Sequence, residues 1–501
     1  MGGDALRALS FADWAVLASY LAMLIGMALF HTRTVQARDD LFLAGRSMGR
    51  WPVAISMYVA LFSSNTMVGV IGWLNRPDGT VWIGLQNIGI ILAVPIAVWL
   101  YPNIFFRLRI TTAYEYLERR FDYPVRAVAG VLFIAARVMW MATMLYGGAL
   151  VATQITGFHD SLGWSAVGLM CVASILGMIG GMRAVIWTDV AQFFVLFGSV
   201  LVMATLAISR SGGIEQVIMI ATETNRFTPP ALFSVKDDLS VVSGLFLGMI
   251  SLLSAVGTDQ VVLQTYLTSK DVKTARDSLW FNGIFLKPLS LMFPMLGMII
   301  FVYFRAHPAD QALMRVPDDA LPVFILQVLP AGARGLALAG IMAALLTSLQ
   351  GGLAALAACV QVDYLQRWMR PLDDATSVRL GRLLMAAWGV AITIAALGVT
   401  QLGKNNSILQ ILNKVMYPFT GVLLGIFLIG LLTRRVSGTP TLAGALCGLM
   451  VTLYLPLAGV AVSNFYFGFI ATVCTVALGC CFSFVASPPH ESKVKGLTHA
   501  G

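Results

Sequence analysis

Charged residues are scarce in this sequence, and the side chains that build most catalytic and metal sites are few and scattered. Only 11% of the residues carry a charge, well below the usual share in soluble domains. The five histidines lie in predicted loops or the tail, and none of the six cysteines forms a CxxC pair. Disulfides and a zinc site are therefore not expected. A nucleophile paired with a base is also lacking, so we do not expect an enzyme.

Apolar residues, in contrast, make up 58% of the chain, and the mean hydropathy is +0.82. A hydrocarbon core about 30 Å thick needs about 20 apolar residues per helical crossing. Because backbone groups in lipid must bond within their own segment, each span should be mainly helical. The predicted spans are residues 11–30, 51–74, 81–105, 127–155, 164–181, 184–208, 239–258, 279–304, 335–362, 380–401, 407–432, 439–459 and 464–486. About thirteen spans leave no room for a soluble domain, so residues 1–501 are predicted to form one all-α integral membrane domain.

The basic residues predict how the chain is oriented. If the N-terminus lies outside, the cytoplasmic loops and tail hold 21 Lys and Arg residues, against 9 in the outside segments. This bias fits the positive-inside rule. The formal charge of +9 is then explained by loops that face anionic lipid, and no stretch is typical of a nucleic-acid reader. We expect a multi-pass membrane protein with its N-terminus outside and its C-terminus in the cytoplasm.

Arg137 is the only charged residue in the apolar stretch 127–152. Counted from Arg126 at about 1.5 Å per helical residue, it lies roughly 16 Å deep, near the middle of the hydrocarbon core. A lone guanidinium at this depth is costly unless it faces water, a counter-charge or an anionic ligand. We therefore predict a carboxylate-binding site. The alternative is a structural salt bridge, for example with Asp189 or Asp259.

Two predicted spans are interrupted by polar residues. Residues 63–66 (Ser-Ser-Asn-Thr) lie in the middle of the span 51–74, and residues 251–260 place serines, a glycine and Thr-Asp-Gln at the end of the span 239–258. Broken helices, one in each half of a transporter, are typical of a binding site near the membrane midplane. Close helix packing through small residues is the alternative explanation for either span.

A third polar element lies in the span 335–362. Ala344, Thr347 and Ser348 are spaced i, i+3 and i+4, so one carbonyl and two hydroxyls share a helix face. Carbonyls released where the span 51–74 unwinds would add further oxygens. Together with the carbonyl and the two hydroxyls, these oxygens would suit a sodium ion. Taken alone, a Thr-Ser pair in a membrane helix more often serves packing.

Three motifs resemble those of the sodium/solute symporter family. They are ITTAYEYLERRFD at residues 110–122, GGMRAVIWTDVAQ at residues 180–192, and RSMG at residues 46–49. The resemblance covers nearly the whole chain and implies a leucine-transporter-like core of two inverted five-helix repeats. It implies an extra N-terminal helix at 11–30, repeats at 51–208 and 239–432, and two C-terminal helices at 439–486.

The resemblance also implies the residues that bind sodium, the expected coupling ion. Gapless matching puts two backbone ligands on Val59 and Phe62, and the other three on Ala344, Thr347 and Ser348. Some family members bind a second sodium ion, for which Asp189, Thr347 and Gln350 are the candidates here. Because Gln350 and Gly351 stand where those members have hydroxyls, the match favours a single sodium ion.

Within the family, the sequence is most similar to bacterial sialic acid symporters. The similarity implies that Arg137 holds the carboxylate of a sugar acid and that Ser63, Thr66 and Gln86 add polar contacts. It also implies a bacterial inner membrane, with a monomer sufficient for transport. A symporter of monocarboxylates, sugars or amino acids is the main alternative, and proton coupling could replace sodium. An uncoupled solute receptor or sensor is the alternative of another class.

Overall fold

The structure, a computed structural model, describes residues 9–32, 35–62, 64–156, 162–237, 239–368, 372–402, 408–460 and 462–499. Throughout these ranges the regular structure is helical. One isolated parallel bridge joins Met48 to Ser269. This agrees with the all-α fold that the hydropathy pattern predicts.

Twelve helices form the first half of the described chain. They are α1 (Phe11–His31), α2 (Arg38–Leu43), α3 (Arg50–Ala60), α4 (Ser64–Leu74), α5 (Leu85–Leu100), α6 (Pro102–Leu108), α7 (Ala113–Arg120), α8 (Tyr123–Thr156), α9 (Leu162–Arg210), α10 (Ile214–Glu223), α11 (Val241–Gly257) and α12 (Gln260–Leu267).

The second half continues with ten more helices. They are α13 (Val272–Phe281), α14 (Met292–Ala306), α15 (Pro308–Gln311), α16 (Ala320–Val328), α17 (Ala333–Cys359), α18 (Gln366–Trp368), α19 (Asp374–Leu402), α20 (Ile408–Leu432), α21 (Gly438–Leu457) and α22 (Phe467–Phe482). A π-helical turn and a 3-10 turn join α13 to α14 over residues 282–291.

Among the described residues, nine helical segments are long and apolar enough to cross a membrane, and a tenth counts if the bent pair α11–α12 is one span. The predicted figure of about thirteen exceeds this number for identifiable reasons. The predicted span 51–74 is divided between α3 and α4, and α20 begins beside undescribed residues. The exact number of crossings and the boundaries of the two repeats stay predictions.

Gly181 explains a further difference from the predicted spans. The helix α9 runs for 49 residues, about 74 Å if it were straight, which is more than twice the thickness of the hydrocarbon core. At Gly181 the backbone leaves the helical region with φ 59° and ψ −170°, a conformation that only glycine adopts readily. The break lies at the end of the predicted span 164–181, next to the predicted loop at residues 182–183.

Helix α17 lies at the centre of the molecule. Of its most apolar stretch, 94% of the residues are buried, against 22% for α1 and 28% for α19. Small residues let its neighbours approach closely, because a Cβ at Gly340 would lie 2.1 Å from the Ser199 Oγ of α9. At Gly352, a Cβ would lie 2.4 Å from the Met141 Sδ of α8. Tight packing therefore sets how closely α8 and α9 approach α17 from the side.

Candidate ion and substrate site

The first predicted break in a helix is present. Helix α3 ends at Ala60 and α4 begins at Ser64. Between them the backbone N–H of Phe62 donates to the Val59 carbonyl over only three residues, at 2.9 Å. The chain therefore leaves the α-helical bonding pattern here, as expected for a helix whose unwound carbonyls face a site.

Helix α17 brings its hydroxyls to this break. Thr347 Oγ1 lies 3.4 Å from the Val59 carbonyl oxygen and 3.2 Å from that of Ala344. Ser348 Oγ lies 2.7 Å from the Phe62 carbonyl oxygen. All five residues are buried. The predicted sodium ligands thus meet in two groups, Thr347 with Val59 and Ala344, and Ser348 with Phe62, which are together called the ion cluster.

The residues predicted for a second sodium ion are arranged differently. Asp189 is fully buried and accepts a hydrogen bond of 2.5 Å from Ser56 through Oδ2, while its Oδ1 has no hydrogen-bond partner in the described structure. Gln350 Oε1 lies 3.5 Å from Thr188 Oγ1. The hydroxyl of Thr347 bonds within the ion cluster. One carboxylate oxygen of Asp189 is therefore free of hydrogen bonds, and within the described structure each of the three residues bonds to a different partner.

Beside the ion cluster lies a cavity of about 200 Å³. It is bounded by the end of α3 and by α5, α8, α11, α20 and residues 282–294. Packing of α5 against α11 is close, because a Cβ at Gly248 would lie 2.0 Å from the Gln86 carbonyl oxygen. This contact brings Gln86 and Ser251 to the same wall of the cavity.

Arg137 lines the cavity and is 3% exposed. Its Nη2 lies 3.5 Å from Asp259 Oδ1, so one of the two alternative salt bridges forms, while the other candidate, Asp189, bonds to Ser56. The separation is longer than an ordinary hydrogen bond, and Arg137 Nε and Nη2 have no hydrogen-bond partner within the described structure. The guanidinium therefore keeps donors for a further anion.

Lys287 is a cavity residue that the sequence patterns did not identify. Its Nζ lies 5.6 Å from the centre of the Tyr58 ring, whose hydroxyl is 2.8 Å from Ser290 Oγ. Among the described lining residues, the charged side chains are Arg137, Lys287 and Asp259. The available signal was a lysine inside an apolar span, the same signal that identified Arg137.

Two other predicted contact residues cannot be placed. Ser63 lies outside the described residues, and for Thr66 the structure describes the helical backbone but not the side chain. Gln86 does line the cavity. Of the four predicted substrate contacts, the structure thus brings together Gln86 and Arg137.

Polar contacts join α12, the loop before α7 and the end of α17 on the side of the molecule that is predicted to be cytoplasmic. Gln260 at the start of α12 accepts from the backbone of Ala113 and donates to the Thr111 carbonyl, both at 2.9 Å. Thr112 donates to Asp363, beyond the end of α17, at 2.6 Å. These bonds link the second broken helix to α17 through the loop before α7.

Glu118 of α7 extends this polar layer. It accepts from Arg126 at 2.6 Å and from Arg367 at 2.8 Å. Burial acts to raise the pKa of Glu118, but the two guanidinium groups outweigh it and hold the pKa below its ordinary value. Glu118 therefore remains ionised at neutral pH and keeps its two ion pairs.

Comparison with known families identifies the class of protein that carries this site. The sequence profile of the sodium:solute symporter family matches residues 41–451. The chain therefore belongs to the sodium:solute symporter family, a family of multi-pass membrane transporters. This confirms the family that the three motifs indicate.

Within this family, the chain is similar to two sodium/sialic acid symporters. The chain is 25% identical to the sodium/sialic acid symporter NanT of Aliivibrio fischeri, over 93% of this chain and 92% of the relative. It is also 25% identical to the sodium/sialic acid symporter SiaT of Proteus mirabilis, over 95% of each chain. Both similarities extend over nearly the full length of the relatives.

A solved structure supports the fold. The substrate-bound, outward-open state of a Na⁺-coupled sialic acid symporter matches with a TM-score of 0.88 and 22% sequence identity. The match covers 96% of this chain and 99% of that chain. At this identity the similarity concerns the fold, and it confirms the transporter architecture predicted above.

Proposed function

We propose that this symporter uses a sodium gradient to import a small solute bearing a carboxylate, with sialic acid or a related sugar acid as the first candidate. The observation that carries the proposal is the position of Phe62. Its carbonyl belongs to the ion cluster, and the same residue lines the cavity that contains Arg137. An ion and a solute bound at these two places would thus contact one short segment of chain.

The proposed sodium ligands are the carbonyls of Val59, Phe62 and Ala344 and the hydroxyls of Thr347 and Ser348. The distances of 2.7 to 3.4 Å support this set, because each hydroxyl of α17 lies close to one of the carbonyls that the broken helix α3 leaves free. Sodium would then join the end of α3 to α17. Because the ligands are neutral, the bound ion would keep its full charge beside the cavity.

The proposed role of Arg137 is to bind the carboxylate of the solute. Arg137 and Lys287 bring two positive charges to the described cavity wall, and Asp259 brings one negative charge. The surplus of one positive charge matches a monoanion, whose binding would satisfy the free donors of Arg137. Gln86, Ser63 and Thr66 remain the proposed contacts for the polar groups of the solute.

Coupling follows if sodium and solute prefer the same conformation. Sodium that joins α3 to α17 would stabilise the shape of the chain at Phe62, and with it the cavity wall. Each ligand would then increase the affinity for the other by the same factor, typically about 5- to 150-fold. No chemical step is required, so the protein acts as a transporter rather than an enzyme.

We further propose one sodium ion per cycle. Asp189 is bonded to Ser56 and Gln350 to Thr188, and neither contact includes Thr347.

The proposed orientation is N-terminus outside and C-terminus in the cytoplasm, supported by the bias of basic residues. A bacterial inner membrane is the proposed location. A monomer suffices, because one chain supplies the cavity wall.

Uptake into proteoliposomes tests the proposal. Purified protein would be given a sodium gradient and labelled sialic acid, short monocarboxylates or a neutral hexose, with potassium and proton gradients as comparisons. We expect a carboxylate to accumulate above its external concentration only with sodium. Accumulation driven by protons alone would refute sodium coupling, and binding without accumulation would favour the sensor alternative.

A further inference from the structure

Asp13, near the start of α1, is a buried carboxylate that the proposed transport cycle does not use. Its side chain is inaccessible to solvent. Oδ1 accepts from the backbone N–H of Gly332 at 2.8 Å and of Gly335 at 2.9 Å. These two groups belong to the N-terminus of α17, more than 300 residues away in the sequence. The carboxylate of one helix therefore caps another.

The cap is needed because α17 cannot provide its own. Its N-cap residue is Gly332, with φ 84°, which has no side chain to accept from the first N–H groups of the helix. Asp13 supplies the missing oxygen and also places a negative charge at the positive end of the helix dipole. Gly335 permits the approach, because a Cβ there would lie 2.5 Å from the Asp13 carbonyl oxygen.

Asp13 is itself held firmly. Its Oδ2 accepts from the backbone N–H of Ser10 at 2.9 Å and from the Ser10 hydroxyl at 2.7 Å, which fixes the side-chain rotamer. Further along α1, the Tyr20 hydroxyl accepts from Gln192 of α9 at 3.2 Å. The carboxylate thus holds α17 against a helix that is anchored to a third one.

The capped helix carries three of the proposed sodium ligands. Gly335 and Ala344 are nine residues apart, about 14 Å along a helix. Because α17 is helical and tightly packed between these points, a shift of its N-terminus moves Ala344, Thr347 and Ser348 with it. The opposite ligands, Val59 and Phe62, belong to a different segment and would not follow.

We infer that Asp13 is a positioning residue for sodium binding: it fixes α17 along its axis so that the hydroxyls of Thr347 and Ser348 meet the carbonyls of α3. The inference rests on the proposed sodium site. It gives the extra N-terminal helix a function in ion binding, although α1 contributes no residue to the ion cluster or to the described cavity wall.

The test measures sodium binding to purified protein without solute. Thermal unfolding would be followed at increasing NaCl, with choline chloride keeping the ionic strength constant. We expect Asp13→Ala to raise the sodium concentration for half-maximal stabilisation by up to about fivefold, the value reached when the whole contribution of a charge at a helix N-terminus is lost from the sodium-bound state. Asp13→Asn keeps one acceptor oxygen, so its rise should be smaller, about twofold to threefold.

The matched control is Asp373→Ala. Asp373 accepts from the Thr376 N–H at 3.2 Å at the start of α19, a helix that supplies none of the proposed ligands. This variant should keep the native sodium dependence. A purely structural role of Asp13 would lower the unfolding temperature without sodium and leave the half-maximal concentration unchanged.

Two outcomes overturn the inference, and a third overturns its basis. If Asp13→Ala folds and shows the native sodium dependence, Asp13 does not position the site. If Asp13→Ala does not fold, an unchanged sodium dependence in Asp13→Asn leads to the same conclusion. If Thr347→Ala also leaves the dependence unchanged, the proposed sodium site itself is wrong.

Discussion

The ion cluster and the cavity lie side by side but are built in opposite ways. The ion cluster consists of backbone carbonyls and short hydroxyls, all buried and all neutral. The cavity wall carries Arg137, Lys287 and Asp259, charged side chains from three different segments. A site made from backbone is fixed by the fold, whereas a site made from long side chains can change with each substitution.

This difference suggests that the ion cluster and the cavity can change independently. The ion cluster needs only a broken helix and a Thr-Ser pair at the correct spacing, so sodium binding can persist while the cavity changes. Phe62 joins the two regions, because its carbonyl faces Ser348 and the residue lines the cavity. We therefore expect substitutions in the cavity to change solute affinity most, and those in the cluster to change sodium affinity most.

The largest expected effect is in the cavity. Arg137→Ala should weaken binding of sialic acid, or of the carboxylate taken up, at least about 30-fold, because removal of a buried charged partner costs about 2–5 kcal/mol. Arg137→Lys keeps the charge without the planar fork and should stay clearly impaired. Equilibrium binding to purified protein measures both. Native affinity in a folded Ala variant would make Arg137 a structural residue.

In the ion cluster, Thr347→Ala or Ser348→Ala should raise the sodium concentration for half-maximal uptake about tenfold. Each change removes one oxygen that contacts a cation, worth roughly 1.5–3 kcal/mol. Thr393→Ala is the control, since Thr393 bonds to the Gly389 carbonyl within α19 at 2.8 Å. Sodium titration of uptake distinguishes these variants. An unchanged sodium dependence in both cluster variants would refute the ligand assignment.

Lys287→Gln tests how the contribution of Lys287 to solute affinity compares with that of Arg137. We expect affinity for the anionic solute to fall roughly fivefold, less than for Arg137→Ala, because the proposed direct partner of the carboxylate is Arg137, whereas Lys287 lies beside the Tyr58 ring and would act through its charge. Lys287→Arg retains the charge and should recover most of the affinity. An equal loss in both variants would indicate a steric role instead of an electrostatic one.

The smallest expected effect is electrical. One sodium ion moving with one monoanion carries no net charge, so a membrane potential should not increase accumulation. A second sodium ion at Asp189 would add about 2.3 kcal/mol per 100 mV. Solid-supported-membrane recordings should therefore show no sustained current for a confirmed monoanion. A sustained inward current that disappears in Asp189→Asn would establish the second site.

The ion cluster could be predicted from the sequence and the cavity only in part, for a physical reason. Helical spacing alone puts Ala344, Thr347 and Ser348 on one face, and the polar run at residues 63–66 predicts the break, whereas Val59 and Phe62 are assigned only through the resemblance to the family. The direction of Lys287 depends on a π-helical turn followed by a 3-10 turn, which shift the helix face. No periodicity rule anticipates that shift.

Contacts between residues far apart in the sequence also could not be predicted from local patterns. The contact of Arg137 with Asp259 was one of two alternatives, and the rotation of α8 relative to α12 decides between them. Asp13 meets α17 only because the extra helix packs against the core, a contact that local patterns do not reveal. The sequence therefore predicts well which residues share a face of one helix. It predicts poorly the contacts that depend on how two helices are rotated relative to each other.

The most direct test of coupling through Phe62 is a reciprocal binding measurement on the purified wild-type protein. The affinity for the carboxylate would be measured at low and saturating sodium, and the affinity for sodium without and with saturating carboxylate. We predict that each ligand tightens the binding of the other by one common factor of at least about fivefold. Solute affinity that is independent of sodium would contradict coupling through this segment.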